Sequence, residues 1–112
     1  MKIAALAEAK PFTTKDGSTI RELHHTDEQS LAEATLPPGG ATQRHHHRVS
    51  EEIYFLLEGE GEIEVEGEQR HVAPGDAVLI PAGAWHEIAA ETELRFLCCC
   101  APPYNDDDTF FE

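Results

Sequence analysis

Three consecutive histidines, His45, His46 and His47, form the part of this sequence best suited to chemistry. Alternate side chains of an extended segment share a face, so His45 and His47 point the same way and His46 points away. Glu52 begins the next apolar run and supplies a carboxylate from a neighbouring strand. A further histidine, His86, follows a rigid turn that contains Pro and Gly. Three imidazoles and one carboxylate suit one divalent transition metal ion, Fe, Mn, Co, Ni, Cu or Zn, and they leave open positions of the kind a catalytic site needs.

Short apolar segments between Gly and Pro turns must position these side chains. Turn signals such as Asp16-Gly17 and Pro74-Gly75-Asp76 recur at short intervals, and the runs between them have the length of strands. Residues 77–80 are a continuous apolar run, which predicts a strand covered on both faces. Only residues 1–9 are suited to a helix, and to a short one. The pattern therefore predicts an all-β sandwich or barrel.

The two histidine segments resemble the two sequence motifs of the cupin family. The first motif, G-x5-H-x-H-x3,4-E-x6-G, is matched by Gly39, His45, His47, Glu52 and Gly59. The second, G-x5-P-x-G-x2-H-x3-N, is matched by Gly75, Pro81, Gly83 and His86. Ala90 stands where the final asparagine would be, and this leaves the ligand positions intact because the asparagine is not a ligand in the family pattern.

This resemblance implies a double-stranded β-helix, or jelly roll, whose barrel mouth holds the metal. The barrel covers about residues 30–100 of a single domain that spans residues 1–112. The resemblance also identifies the four ligands as His45, His47, Glu52 and His86. Small cupins often pair as dimers in which the N-terminal segment joins the partner's sheet, so we expect a homodimer, with residues 1–20 as the segment that is exchanged.

Two other residues compete for the ligand positions. Glu51 satisfies the shorter spacing that the family allows, but only Glu52 leaves six residues before Gly59, and we therefore favour Glu52. His46 is a ligand only if its strand is distorted. A purely structural alternative, in which the pocket binds nothing, is disfavoured because buried histidines and a glutamate without a partner are costly.

Tyr54 is the candidate catalytic residue beside the ligands. If Glu52 points inward, Tyr54 and Leu56 do so as well, because strand side chains alternate. The Tyr54 hydroxyl would then orient a substrate or a water molecule. The alternative is a core aromatic side chain whose hydroxyl is hydrogen-bonded, and the sequence leaves both open.

The adjacent cysteines Cys98, Cys99 and Cys100 fit neither a disulfide framework nor a zinc-binding spacing. We interpret them as part of a buried strand in a reducing compartment. Two phases are open for residues 94–100. We favour the phase in which Leu94, Phe96, Cys98 and Cys100 face inward, because the other phase would bury Arg95.

The formal charge of −14, from 22 acidic and 8 basic residues, argues against nucleic acid and membrane partners. Binding to phosphate backbones or anionic lipids depends on Lys and Arg, which are scarce in this chain. Residues 1–10 lack the apolar stretch of a secretory signal, so we expect a cytoplasmic protein. The acidic tail, residues 105–112, is expected to be solvated or to pack peripherally.

These features favour a metal-dependent enzyme that acts on a small molecule, with a dioxygenase-like reaction as the first choice. The ligands suit a redox ion, the expected pocket walls are apolar, and no dedicated general base is evident. The alternatives are a non-catalytic cupin that binds a sugar or another small molecule, and a metal-dependent isomerase, decarboxylase or lyase. A scaffold role is disfavoured.

Overall fold

A computed structural model describes every residue from Met1 to Glu112, and nearly all of its regular structure is β-strand. The strands are β1 (Phe12–Thr13), β2 (Thr19–His25), β3 (Ser30–Leu36), β4 (His45–His47), β5 (Glu51–Glu58), β6 (Gly61–Val65), β7 (Glu68–Val72), β8 (Ala77–Ile80), β9 (His86–Ala90), β10 (Leu94–Ala101) and β11 (Thr109–Phe111). Two single 3₁₀ turns lie at Leu6–Glu8 and Asp106–Asp108. The chain has no helix whose length and hydropathy would let it span a bilayer.

The strands form two antiparallel sheets. One sheet has the order β1-β2-β3-β10-β5-β8, and the other has the order β11-β4-β9-β6-β7. Both sheets contribute to one apolar core, formed by Ala34, Leu36, Tyr54, Leu56, Ile63, Val72, Ile80, Ala84, Ile88, Ala90, Leu94 and Phe96. The predicted all-β jelly roll is therefore confirmed.

Strand alternation decides which side chains enter the barrel. On β5, Glu52, Tyr54 and Leu56 are buried, whereas Ile53 and Phe55 face outward and are 40% and 39% exposed. This is the phase that the sequence predicts for β5, because a period of two places every second residue on one face. The inner face of β5 thus carries a carboxylate and a phenol into a largely apolar interior.

Gly59, a motif position, sits where the backbone of β5 turns toward β6. Its φ is +84°, and an added Cβ would lie 1.9 Å from the carbonyl oxygen of Glu93. Glycine is required here both for the left-handed backbone and for the close approach of two chain segments. This contact holds the β5–β6 turn against the start of β10.

Two expectations about the elements are wrong. The apolar run at residues 77–80 forms β8, but Leu79 is 57% exposed, because β8 is an edge strand that pairs only with β5 and nothing covers its outer face. The predicted short N-terminal helix is reduced to the turn Leu6–Glu8, which buries no residue. So short a segment has no packing surface to offset the cost of helix nucleation.

The acidic tail is a structural part of the barrel rather than a solvated extension. Its strand β11 pairs with β4 in the register Thr109↔His47, Phe110↔His46 and Phe111↔His45. The apolar Phe110 and Phe111 favour a strand, and an open edge of β4 is available to pair with it. The tail therefore lies directly beside the histidine segment.

Candidate metal centre

The three predicted histidine ligands meet inside the barrel. His45 on β4 lies opposite His86 on β9, and His47 shares the inner face of β4. The ring centroids of His45 and His86 are 4.3 Å apart, and those of His45 and His47 are 5.1 Å apart. All three side chains are buried, and one ring nitrogen from each lies within 4.8 Å of the other two. Three histidines are thus placed to bind one metal ion.

Backbone carbonyls orient two of these rings. His45 Nδ1 lies 2.7 Å from the carbonyl oxygen of Gln43, and His86 Nδ1 lies 2.9 Å from that of Ala84. A carbonyl oxygen only accepts, so each Nδ1 carries the proton and donates it. In the neutral ring, Nε2 then presents a lone pair, which is the form that binds a metal.

Glu52 reaches the same cluster from the opposite sheet. Its Oε1 lies 3.3 Å from Nε2 of His86 and 3.5 Å from Nε2 of His47. Both Oε1 of Glu52 and Nε2 of His86 are buried without a hydrogen-bond partner. Unsatisfied buried polar atoms are costly and uncommon, and a cation between them would satisfy both. The side chains present therefore fit a metal ion.

The electrostatics keep Glu52 charged. Burial by itself would raise the pKa of Glu52, but its contacts with His47 and His86 outweigh burial, and the pKa falls well below its ordinary value. Burial would likewise lower the pKa of His47, but the adjacent Glu52 carboxylate outweighs it, and the pKa is raised. Burial, followed by the nearby His86, lowers the pKa of His45. The cluster therefore keeps the Glu52 carboxylate ionised beside the His47 imidazole, whose protonated form it favours.

The competing residues point elsewhere. Glu51 is exposed on the outer face of β5. His46 lies on the outer face of β4, where its ring stacks on Phe110 at a centroid distance of 5.3 Å and meets Trp85 edge-on at 4.4 Å. Strand alternation accounts for both positions, because each residue is one place away from an inward-facing residue.

The C-terminal tail holds the turn between His47 and Glu52 in place. Sequence reasoning missed this role of the tail. The Asp108 carboxylate accepts hydrogen bonds of 3.1 Å from the backbone N–H groups of Arg48, Val49 and Ser50. The hydroxyl of the next residue, Thr109, lies 3.3 Å from Nδ1 of His47. The acidic run at residues 106–108 looks like a solvated tail in sequence, and no local signal marks Asp108 as the member that turns inward.

A pocket opens beside His47 and Glu52, between the inner face of the six-stranded sheet and the β1–β2 turn. The cavity has a volume of about 40 Å³, which is room for roughly three water molecules or a small organic group. Tyr54 lines this pocket as predicted, and its ring centroid lies 6.0 Å from that of His86. Burial, with the nearby Glu52, raises the pKa of Tyr54 well above its ordinary value, so its hydroxyl stays protonated.

Two of the three cysteines also line the pocket. Cys98 and Cys100 face inward with Leu94 and Phe96, which confirms the favoured phase of β10. The Cys100 thiol donates a hydrogen bond of 3.2 Å to Oε2 of Glu52. Burial, together with the charge of Glu52, raises the pKa of this thiol. The expected burial of the whole cysteine run is wrong at Cys99, which is exposed on the outer face of the sheet.

Asp16 is a further pocket residue that sequence reasoning missed. Its Oδ2 lies 3.7 Å from Nε2 of His45, and its side chain lines the pocket. In the sequence, Asp16-Gly17 is only a turn signal, and nothing local shows that this turn folds over the histidine cluster. Asp16 lies between β1 and β2, and the order of the strands in the six-stranded sheet, not sequence spacing, brings it beside the cluster.

Comparisons with known proteins agree with this geometry. The cupin domain family matches residues 32–100 of the chain. An uncharacterized protein of Methanocaldococcus jannaschii is 46% identical over 107 residues, which cover 89% of this chain and 86% of that protein. The oxalate-binding protein of Thermotoga maritima is 33% identical over 79 residues, which cover 69% of this chain and 65% of that protein.

More distant matches extend these findings. The 5-nitrosalicylic acid 1,2-dioxygenase of a Bradyrhizobium species is 43% identical over 51 residues, which cover 46% of this chain but only 24% of that protein. Among solved structures, an RmlC-like cupin from Shewanella frigidimarina shares the fold with a TM-score of 0.87 at 18% identity, over 96% of both chains. The match over residues 32–100, which is more than half of the chain, shows that this chain belongs to the cupin family.

Proposed function

We propose that this cupin is a metal-dependent enzyme that acts on a small molecule, with an oxygen-dependent, dioxygenase-like reaction as the first choice. One observation carries the proposal. Three buried histidines and an ionised glutamate converge beside a small pocket, and neither Oε1 of Glu52 nor Nε2 of His86 makes a hydrogen bond. A site that existed only for stability would pair these atoms.

The residues of the site have separate roles in this proposal. His45, His47, His86 and Glu52 hold one divalent transition metal ion, and such an ion supplies Lewis acidity or, if it is redox-active, activation of O₂. Tyr54 orients the bound molecule through a hydroxyl that remains protonated. The apolar side chains Ile20 and Phe96 line the pocket and keep bulk water from the ligand.

The phenol and the two thiols that line the pocket offer no base, which favours chemistry led by the ion. Burial keeps the pKa of Tyr54, Cys98 and Cys100 above their ordinary values, so none of these groups is a base near neutral pH. The dioxygenase among the relatives is consistent with the same reading. An isomerase, decarboxylase or lyase would use the same ligands with the ion as a Lewis acid.

A non-catalytic binding cupin is the second candidate. The relative named an oxalate-binding protein, which covers more of this chain than the dioxygenase does, supports it. The two candidates differ in one outcome, because a binding protein returns its ligand unchanged whereas an enzyme converts it.

Elemental analysis of the untagged protein tests the metal site. We expect near one equivalent of a transition metal in the wild type, and loss of that metal in His47→Ala and His86→Ala. His25→Ala is the matched control, because His25 is exposed at the end of β2 and its ring nitrogen faces Glu22 rather than the cluster. If the wild type is empty and cannot be loaded with any of the candidate ions, the metal-dependent function is wrong. If the metal is Fe, Mn, Ni or Cu, screening small molecules for oxygen uptake then separates an oxygenase from the other reactions.

We further propose that the protein is cytoplasmic and that its partner is a small molecule rather than nucleic acid or membrane. The three cysteines are all free, which suits a reducing compartment. The charge of −14 opposes binding to polyanions. Fractionation of native cells, followed by immunoblotting, tests the compartment.

A further inference from the structure

The Asp16 carboxylate is held in place at the edge of the pocket with one oxygen free. Its Oδ1 accepts hydrogen bonds from the Thr14 hydroxyl at 2.6 Å, from the Ser18 hydroxyl at 2.7 Å and from the Ser18 N–H at 2.9 Å. Its Oδ2 lies 3.7 Å from Nε2 of His45, which is too long for a hydrogen bond. Oδ2 therefore keeps its capacity to accept a hydrogen bond from a ligand.

The position of this oxygen is set by the same residue that orients His45. The Gln43 N–H donates a hydrogen bond of 2.8 Å to the backbone carbonyl of Asp16. The Gln43 carbonyl in turn accepts from Nδ1 of His45 at 2.7 Å. Gln43 thus fixes the turn and the imidazole relative to each other, and the short distance between Asp16 and His45 follows from the fold.

Asp16 and Glu52 approach different parts of the histidine cluster. Oε1 of Glu52 contacts His47 and His86, whereas Oδ2 of Asp16 contacts His45. The Glu52 side chain has a role as a ligand, but Asp16 lies in a turn of the six-stranded sheet and remains partly exposed to the pocket. A molecule in the pocket would therefore reach Asp16 without displacing Glu52.

The fixed charges along the pocket are mainly negative, and His47, which is paired with Glu52, is the one lining residue that can carry a positive charge. The lining includes Asp16, Glu22 and Glu52, and it includes no Lys or Arg. Beside Asp16 a ligand carboxylate would be repelled, because the lining holds no Lys or Arg to offset that charge. A ligand with a hydroxyl or ammonium group would instead find an acceptor in Asp16, while Phe12 and Ile20 contact its apolar part.

We propose that Asp16 is a specificity-determining residue, whose Oδ2 accepts a hydrogen bond from the hydroxyl or ammonium group of a small, mainly apolar ligand. The pocket then selects such donors over carboxylates. This inference rests on the proposed function to the extent that the pocket beside the histidines is the ligand site. It assigns a role to a pocket carboxylate that is anchored through one oxygen, free at the other and not among the predicted metal ligands.

Three probes of nearly the same shape test this selection: propylammonium, propan-1-ol and propanoate. Each is titrated into the isotope-labelled full-length chain, as purified and after treatment with a chelator, and binding is followed by NMR chemical shifts. In the chelated protein we expect propylammonium to bind about tenfold more tightly than propanoate. We expect Asp16→Asn to remove most of that preference, because it keeps the shape and loses the charge.

Glu28→Gln is the matched control, since Glu28 is an exposed acid in the turn between β2 and β3. It should leave the preference unchanged. Equal binding of propylammonium and propanoate by the wild type would overturn the inference, as would an unchanged preference in Asp16→Asn. If Asp16→Asn lost as much metal as His47→Ala, Asp16 would be a metal ligand, and this result would also overturn the inference.

The same measurements separate this inference from the proposed function. A wild type that contains metal as purified but shows no preference among the probes after chelation retains the metal site and loses the role of Asp16. A wild type that takes up no metal but prefers propylammonium, with the preference lost in Asp16→Asn, loses the metal function and retains the role of Asp16.

Discussion

Nε2 of His47 lies 3.5 Å from Oε1 of Glu52, and the two residues belong to different sheets. The contact raises the pKa of His47 and lowers that of Glu52. In the metal-free protein, the His47 contribution to stability is complete below the ordinary histidine pKa of 6.5 and is lost as the pH rises through the raised value. The Glu52 contribution is present above its ordinary value of 4.5 and is lost as the pH falls through the lowered value. Without metal, the pair therefore stabilises the fold most between pH 4.5 and pH 6.5, the ordinary pKa values of Glu and His.

Metal binding should favour the neutral form of His47, whereas Glu52 favours its protonated form. A metal ligand must be a neutral imidazole, so the ion competes with the proton that Glu52 holds on His47. We expect zinc binding at pH 7 to release protons, mainly from His47, because the pKa of His45 is already lowered. Calorimetry in two buffers of different ionisation enthalpy counts these protons, and Glu52→Gln should reduce the number. Metal affinity that stays constant from pH 8 to pH 5 would contradict histidine ligation.

Gly59→Ala should destabilise the fold far more than Gly67→Ala. The two glycines have nearly the same φ, +84° and +86°, so both substitutions carry similar backbone strain of about 1–2 kcal/mol. Only at Gly59 does an added Cβ collide, 1.9 Å from the carbonyl oxygen of Glu93, whereas nothing lies within 4 Å at Gly67. We expect the free energy of unfolding to fall by about 4 kcal/mol for Gly59→Ala. Urea denaturation of both variants measures the difference, and equal losses would show that the collision is relieved by backbone movement.

The Asp108 carboxylate should contribute about 2 kcal/mol to the free energy of unfolding. It accepts hydrogen bonds from three backbone N–H groups in the turn between His47 and Glu52. We expect Asp108→Ala to lower the free energy of unfolding by that amount. Asp107→Ala, one residue away and exposed, should change it by less than about 0.5 kcal/mol. Chemical denaturation compares the two variants. Similar values for both would mean that the tail is an ordinary solvated segment.

The all-β barrel and the inward faces of its strands were predictable, because turn spacing and strand alternation are local patterns. Alternation along β4 and β5 separates His45 and His47 from His46, and Glu52 from Glu51. Asp16 and Asp108 were not predictable, because each reaches the site through strand order rather than sequence spacing. Asp16 comes from a turn beyond β3, and Asp108 is placed by a strand that pairs 62 residues along the chain from its partner, Thr109 with His47. Single-sequence patterns carry no information on such pairings.

The outer face of the six-stranded sheet should be covered by a second copy of the chain. Ile53 and Leu79 are directly paired across β5 and β8, and both are exposed together with Phe55. Adjacent exposed apolar side chains are a common feature of interfaces. We expect sedimentation equilibrium to give about twice the chain mass of 12.4 kDa, and Ile53→Lys with Leu79→Lys to give the monomer. Val49→Lys is the control, because Val49 is as exposed but lies in the turn before β5. A wild type that sediments as a monomer would exclude the homodimer.

The Cys100 thiol should tune the metal site although it is not one of the predicted ligands. It donates to Oε2 of Glu52 at 3.2 Å, while Oε1 of the same carboxylate faces His47 and His86. This donor fixes the rotation of the carboxylate, and losing such a partner typically costs 10–100-fold in metal affinity. We therefore expect Cys100→Ala to weaken zinc binding by about tenfold or more.

Cys100→Ser should retain most of the affinity, because a hydroxyl also donates, and Cys99→Ala should retain all of it, because Cys99 is on the outer face. Competition with a chromogenic chelator measures the three variants against the wild type. The thermal midpoints of the metal-free variants separate an effect on the fold from an effect on the site. Unchanged affinity in Cys100→Ala would show that packing between the sheets, and not the thiol, holds Glu52 in position.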